Sequence, residues 1–232
     1  MTAALWDLKE RDLKERDLKE SGFNRKIFKE SNLINSGYLP MNTGEIRKNI
    51  RTKRRALTPA QQQTAAQHLA TLIAQQGFFL RAKRIGIYLA NDGEIDPSLL
   101  MGIALNANKS CYLPIIHPLQ FNRLYFGEYR EGDHLKANRF GILEPQFNST
   151  QVAPIWTLDF ILLPLVAFDR SGSRIGMGGG FYDRTLAACA NQPSRPTLIG
   201  LAHSCQEVES ISQQSWDIPL DQIITEREII NA

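Results

Sequence analysis

Apolar and polar residues change rhythm several times along this chain of 232 residues. The run Phe160-Ile-Leu-Leu-Pro-Leu-Val-Ala167 is almost wholly apolar, the pattern of a strand covered on both faces. Shorter apolar runs over 84–90, 111–116, 197–202 and 222–225 read as further strands. Residues 124–129 alternate in the manner of an edge strand. Between these runs lie helical signals. Thr58-Pro59 offers an N-cap with proline at the first helical position. It predicts a helix over about 59–76, with Leu69, Leu72 and Ile73 on one side and Gly77 ending it. Asp96-Pro97 predicts a second helix to about residue 107, and a third is expected over about 181–190. Asn91-Asp-Gly93 marks a turn, and 133–154 is rich in turn residues. Strands alternating with helices predict a layered α/β fold with a mostly parallel central sheet.

The first forty residues follow no such pattern. Asp7-Leu-Lys-Glu-Arg11 recurs as Asp12-Leu-Lys-Glu-Arg16 and begins again at Asp17. A five-residue step advances about 140° beyond a full helical turn, so Leu8, Leu13 and Leu18 make no seam. Acids fall four residues before bases, as in Asp7/Arg11 and Glu10/Lys14, but each pair stabilises a helix by only ~0.2–0.5 kcal/mol. Residues 1–43 are therefore expected to form a charged, flexible extension, and 44–232 a single catalytic domain, with Met41 as a candidate biological start. No apolar run approaches the ~18–20 residues needed to span a bilayer. The amino terminus lacks the apolar region of a secretory signal.

Composition narrows the class. Hydrophobic residues make up 43% and charged residues 22%, ordinary for a globular enzyme and against wholesale disorder. A net charge of +3 argues for no polyanionic partner by itself. Cys111, Cys189 and Cys205 form no C-x-x-C pair, which fits a reducing compartment and gives no zinc motif. The exception is local: Arg47, Lys48, Arg51, Lys53, Arg54 and Arg55 crowd one segment. It reads as a solvated helix face, with nucleic-acid binding as the competing reading.

The candidate chemistry comes after the most apolar strand. Arg174-Ile-Gly-Met-Gly-Gly-Gly-Phe-Tyr-Asp-Arg184 precedes a predicted helix, at the sheet end where α/β proteins bind ligands. Glycines let a ligand approach the main chain, successive N–H groups can cradle an anion, and the helix start adds partial positive charge. Arg174 and Arg184 can donate to phosphate oxygens, and Asp183 can anchor a magnesium ion. Neither G-x-x-x-x-G-K-[ST] nor G-x-G-x-x-G fits, the third glycine of the latter falling on Phe181. His203 lies near a strand end and is a weaker candidate.

This run closely resembles the signature of the 5-formyltetrahydrofolate cyclo-ligases, also called methenyltetrahydrofolate synthetases. Arg55-Ala-Leu-Thr, Leu89 with Glu94 five residues on, Leu163-Pro-Leu-Val-Ala-Phe-Asp169 and Trp216-Asp217-Ile-Pro extend the resemblance over about 45–225. The resemblance implies a Rossmann-like α/β/α fold of the CoA-transferase kind. It also implies ATP- and Mg2+-dependent conversion of 5-formyltetrahydrofolate to 5,10-methenyltetrahydrofolate, with ADP and phosphate released. Arg174 and Tyr182 would be catalytic. Arg47, Arg174, Ile175, Gly176, Met177, Gly178, Gly179, Gly180, Phe181 and Tyr182 would bind the nucleotide. Leu89, Glu94, Phe140, Met177, Gly178, Gly179, Gly180 and Phe181 would contact the folate, and Asp183 and Asp217 the metal. The family's amino-terminal ATP-contacting lysine falls on Thr43, with Lys48 as a substitute. A cytoplasmic monomer acting on a reduced folate, with or without a polyglutamate tail, is expected, with no membrane or nucleic-acid partner. The alternatives are ATP-dependent activation of another amide-like small molecule, or a basic nucleic-acid-binding protein regulated by nucleotide.

Overall fold

The computed structural model describes residues 42–189, 192 and 194–232. The pentapeptide repeats and Met41 lie outside the described residues. Asn42 caps the first helix, α1 (Thr43–Arg55), its side chain accepting from the Gly44 N–H at 3.0 Å. Thr58 caps α2 (Pro59–Ala74) with proline in the first turn, and Gln61 completes a reciprocal capping box. The expected end at Gly77 is not observed. Instead Gly77 opens α3 (Gly77–Arg81), which buries Phe79 and sets Phe78 edge-on to Phe160 with centroids 5.3 Å apart. Burial of two aromatic rings decides the matter over the local glycine signal.

The main sheet contains β1 (Arg84–Gly86), β2 (Ser110–Ile116), β3 (Leu124–Tyr129), β6 (Val152–Ala153), β7 (Phe160–Pro164), β10 (Thr197–Leu201), β11 (Gln222–Ile224) and β12 (Ile229–Asn231). Two hairpins lie outside it: β4 (Leu135–Ala137) with β5 (Leu143–Pro145), and β8 (Ala167–Phe168) with β9 (Arg174–Ile175). The spatial order is β12-β11-β10-β7-β1-β2-β3-β6. β11, β10, β7, β1 and β2 run parallel, and the outer strands are antiparallel. The chain moves outward from β1 through α4 (Ser98–Asn106) to β2 and β3. It then returns to lay β7 on the other side of β1 and moves outward again. The order thus reverses between β1 and β7, so the loops beyond their carboxyl ends lie where sheets of this kind place a ligand crevice.

β7 shows why its sequence is apolar throughout. Phe160 and Leu162 enter one core cluster with Leu69, Ile73 and Leu100, while Ile161 and Leu163 enter another with Phe168, Leu186 and Leu198. Alternate residues feed opposite faces, so neither face can be polar. Other expectations need correction. The strand expected over 84–90 ends at Gly86, and after one further bond from the Ile87 N–H to the Tyr112 carbonyl at 2.9 Å the chain runs into the loop beyond β1. β3 is not an edge, since β6 pairs outside it. The turn-rich stretch 133–154 holds the β4–β5 hairpin as well as β6. The helix expected over 181–190 is α5 (Phe181–Leu186) with a 3-10 turn after it, Ala187–Cys189.

The largest correction concerns α1. Arg54, expected on a solvated face, is wholly buried. Its Nε donates to the Asp92 carbonyl at 3.0 Å, Nη1 to the Leu165 carbonyl at 3.2 Å, and Nη2 to Asp92 Oδ2 at 2.9 Å. Arg51 Nε reaches the same carboxylate at 2.8 Å and Arg55 Nε at 2.6 Å. Arg47 Nε donates to the Gly176 carbonyl at 2.8 Å. Four of the six basic side chains of α1 therefore donate to the protein's own loops, so the segment is not simply a solvated helix face.

Burial works against the charge of Asp92, but hydrogen bonds from Arg51 and Arg55, with Arg54 beside them, outweigh it and hold the carboxyl at about 2. A depressed carboxylate stabilises the fold above the unfolded pKa, near 4, and loses that contribution as pH falls through about 2. The difference is worth roughly 2 kcal/mol. Asp92→Asn should lose about 3 kcal/mol at pH 7, since it leaves Arg54 buried without its counter-charge. It should also flatten the decline in urea midpoint between pH 4 and 2. An acid limb as steep as that of the wild type would contradict this.

Candidate functional site

The crevice is built from the segments beyond β7 and β1. Beyond β7, β8 and β9 form a hairpin pinned by the buried Asp169. Its Oδ1 accepts from the Ser171 N–H at 2.9 Å and hydroxyl at 2.6 Å, and its Oδ2 from the Ile211 N–H at 2.8 Å. Burial opposes ionisation here too, but these bonds prevail and lower its pKa. The carboxylate is thus a bracket that projects Arg174 and the glycine loop forward from the sheet.

The loop 176–180 is asymmetric in its hydrogen bonding. Its carbonyls are engaged: Gly176 by Arg47, and Gly179 by both Asn122 Nδ2 at 2.8 Å and Arg184 Nη1 at 2.6 Å. The main-chain N–H groups of 177–182 donate to no acceptor among the described residues. Gly178 at φ 97° and Gly180 at φ 62° occupy the left-handed region, which a side-chain-bearing residue enters only at a cost. Such a run of bare donors is an anion cradle.

Arg174 is nearly buried, with 7% of its side chain exposed. Nη2 meets Asp183 Oδ1 at 2.5 Å and Nη1 donates to the Ile218 carbonyl. Asp183 Oδ1 also accepts from the Ile218 N–H at 3.3 Å. Asp217, one residue before Ile218, closes a turn by accepting from the Gln214 N–H at 2.8 Å. Two half-buried carboxylates, Asp183 and Asp217, are therefore both brought to the neighbourhood of Ile218. No cluster of three or more His, Cys, Asp or Glu occurs among the described residues. Magnesium that arrives with phosphate needs only one or two carboxylates, and Asp183 Oδ2 takes no hydrogen bond from the described residues, so the donor set fits that ion.

The opposite wall comes from the loop after β1. Leu89 is half-buried against the core. Glu94 is half-buried, its Oε2 accepting from the Asn91 N–H at 3.1 Å. Burial pushes its carboxyl up to about 7, against the opposing pull of the Asn91 N–H and Arg54. The Tyr182 phenol packs against the core, and burial first, then the charge of Glu94, raises its pKa. A rim of apolar groups completes it. Phe140, 55% exposed, stands edge-on to Phe181 at 5.7 Å, with Arg139 over both rings at 5.0 and 5.8 Å. Met177 is 52% exposed. Exposed rings beside bare donors suit a flat heterocycle carrying anionic groups.

Thr43 lies one turn before Arg47 on the same helix face. Lys48, the candidate substitute, lines a pocket of about 370 Å³ with Glu207 and Val208. His203 is buried, and its main-chain N–H donates to Gln206 Oε1 at 2.9 Å. Asn122 and Arg139 escaped sequence reasoning. Asn122 in Phe-Asn-Arg signals a turn between strands, but nothing in the sequence says which carbonyl its amide meets.

The model of the 5-formyltetrahydrofolate cyclo-ligase family matches residues 41–226. The 5-formyltetrahydrofolate cyclo-ligase of Escherichia coli is 41% identical over 180 residues, covering 78% of this chain and 98% of the relative. The protein of that name from Haemophilus influenzae is 43% identical over 184 residues, covering 78% and 95%. The solved structure of Aquifex aeolicus 5,10-methenyltetrahydrofolate synthetase superposes with a TM-score of 0.71 at 28% identity, covering 82% of this chain and 93% of that one.

The environment of Glu94 can be checked without any ligand. Its side-chain carboxyl carbon shift should titrate with a midpoint near 7. A midpoint in the ordinary range, near 4.3, would contradict the burial described above.

Proposed function

The chain belongs to the 5-formyltetrahydrofolate cyclo-ligase family and is an enzyme of that activity, and on this premise we propose how the crevice carries it out. The substrate is a reduced folate. ATP is the co-substrate, its triphosphate lying on the loop 174–182, and the pterin lies between that loop and the wall of Leu89 and Glu94. The observation that carries this reading is the row of N–H groups over 177–182, without acceptors among the described residues, at the point where the strand order reverses.

The chemistry explains why ATP is needed. The N5-formyl group is amide-like, and its oxygen leaves poorly. That oxygen attacks the γ-phosphorus, the bond to ADP breaks, and the formyl carbon becomes an imidate-like electrophile. N10 then attacks this carbon and gives up its proton to water or the leaving phosphate, the C–O bond breaks, and phosphate departs. No covalent nucleophile from the protein is required, so positioning and charge stabilisation carry the rate. The bare amides hold the phosphates, and Arg47 steadies the loop through Gly176. Arg174, fixed by Asp183 and Ile218, sets a positive charge that need not reorganise as phosphoryl transfer begins. Tyr182, the last residue of the cradle, would add its main-chain N–H to the phosphate-binding row. Phe140, Met177 and Phe181 offer the folate an apolar surface. Asp183 and Asp217 would hold magnesium, which when bound neutralises charge on the phosphates.

Glu94 would accept from the donor edge of the pterin. Among the described residues no helix is long and apolar enough to cross a membrane. Free Cys111, Cys189 and Cys205 fit a reducing cytoplasm, where we place the enzyme as a monomer.

Mixing protein, 5-formyltetrahydrofolate and Mg-ATP should raise absorbance in the methenyl-folate band. Asp183→Asn should cut this turnover about 100-fold, and should also lower the melting temperature, since it leaves the nearly buried Arg174 without its counter-charge. No signal from folded wild type sinks the assignment, and unchanged turnover in the variant sinks the metal role.

Glu94 gives a pH prediction. Pterin donors favour the carboxylate, so binding should lower its pKa from about 7 and release protons near neutrality. The folate KM should therefore rise as pH falls through 7. Glu94→Ala should abolish that dependence and raise the folate KM more than the ATP KM. Equal effects on both would place Glu94 elsewhere.

A further inference from the structure

Gly179 and Gly180 are joined by a peptide whose orientation the two glycines themselves do not choose. Glycine enters either sign of φ with similar ease, so a Gly-Gly unit can present either its carbonyl or its N–H to the crevice. A planar trans peptide points these two groups in opposite directions. Here the Gly179 carbonyl is held from outside the loop by Asn122 Nδ2 at 2.8 Å and Arg184 Nη1 at 2.6 Å. The Gly180 N–H consequently points away from both side chains, and it donates to no acceptor among the described residues.

Asn122 is itself set from behind. Its Oδ1 accepts from Arg139 Nη2 at 3.2 Å, which leaves Nδ2 facing Gly179. Arg139 is in turn seated over the rings of Phe140 and Phe181. Asn122 holds this position at φ 50° in the turn between β2 and β3, a left-handed conformation that asparagine tolerates better than most residues.

We infer that Asn122, oriented by Arg139, is a positioning residue: through the Gly179 carbonyl it aims the Gly180 N–H at a phosphate oxygen of the nucleotide. This rests on the reading that the glycine loop holds the triphosphate. Asn122 touches no reacting atom. Together with Arg184, which donates to the same carbonyl, it disfavours the alternative peptide orientation, in which the carbonyl of Gly179 would repel an anion.

Two variants separate this from a structural role. Asn122→Gly keeps the left-handed backbone and deletes the amide. Asn122→Asp keeps an acceptor for Arg139 but sets a carboxylate against the Gly179 carbonyl. Asn108→Gly, the same exchange at φ 54° beyond α4 and before β2, at the opposite end of the sheet, is the control. Calorimetry with magnesium and a non-hydrolysable ATP analogue should show affinity weakened about tenfold in both Asn122 variants and unchanged in the control. Turnover should fall about 10- to 100-fold, with the folate KM within about threefold of wild type. Asn122 variants that bind the analogue and turn over like the wild type overturn the positioning role. A wild type that binds no analogue overturns the reading of the loop, and the positioning role with it.

Discussion

A single guanidinium, that of Arg54, holds the crevice in shape. It is wholly buried and ties three separate elements: its own helix α1, the Asp92 turn after β1, and the Leu165 carbonyl at the end of β7. Each element carries part of the site. α1 brings Arg47 onto Gly176, the Asp92 turn places Glu94, and Leu165 begins the segment that ends in the glycine loop. Burying such a charge costs several kcal/mol of desolvation, which apolar residues of similar volume would avoid. An apolar cluster would be non-directional, however, and would not fix two loops against one helix at hydrogen-bond distances. Arg51 and Arg55 add to the same carboxylate from positions with more solvent, so the charge of Asp92 is secured even though its surroundings are poor in water.

Within that frame the two walls have opposite electrostatic character. On one side, every outside bond to the glycine loop goes to a carbonyl, and the donors are left over. On the other, a half-buried carboxylate is held near neutral pH by its surroundings. A ligand that is anionic at one end and rich in N–H donors at the other satisfies both walls at once. On the proposed reading a nucleotide and a pterin bound side by side would provide this combination, with the exposed rings of Phe140 and Phe181 at its rim.

Much of this architecture is legible in the amino-acid order alone. The uninterrupted apolar run of β7, the Thr58-Pro59 cap and the glycine run each carry a local physical signature, and all three appear where expected. The features that escape sequence reading depend on contacts between distant residues. Six cations in α1 look alike in sequence, and only the position of Asp92 decides that Arg54 is the buried one. Asp92 itself sits in Asn-Asp-Gly, which reads as an ordinary turn. That the Glu94 turn and the glycine loop follow neighbouring strands is a consequence of strand order, because β7 inserts beside β1 and not beyond β3. Short strands such as β4, β5 and β12 have too few residues to show a period. Gly77 misled because the demand to bury Phe79 is a tertiary one.

On the proposed reading, main-chain amides over 177–182 grip the triphosphate. A crystal structure with magnesium, a non-hydrolysable ATP analogue and 5-formyltetrahydrofolate tests this most directly. Phosphate oxygens are expected about 3 Å from several of those nitrogens, with the pterin edge on Glu94. Phosphates seated elsewhere, with the loop's amides turned to water or to the protein, would contradict it.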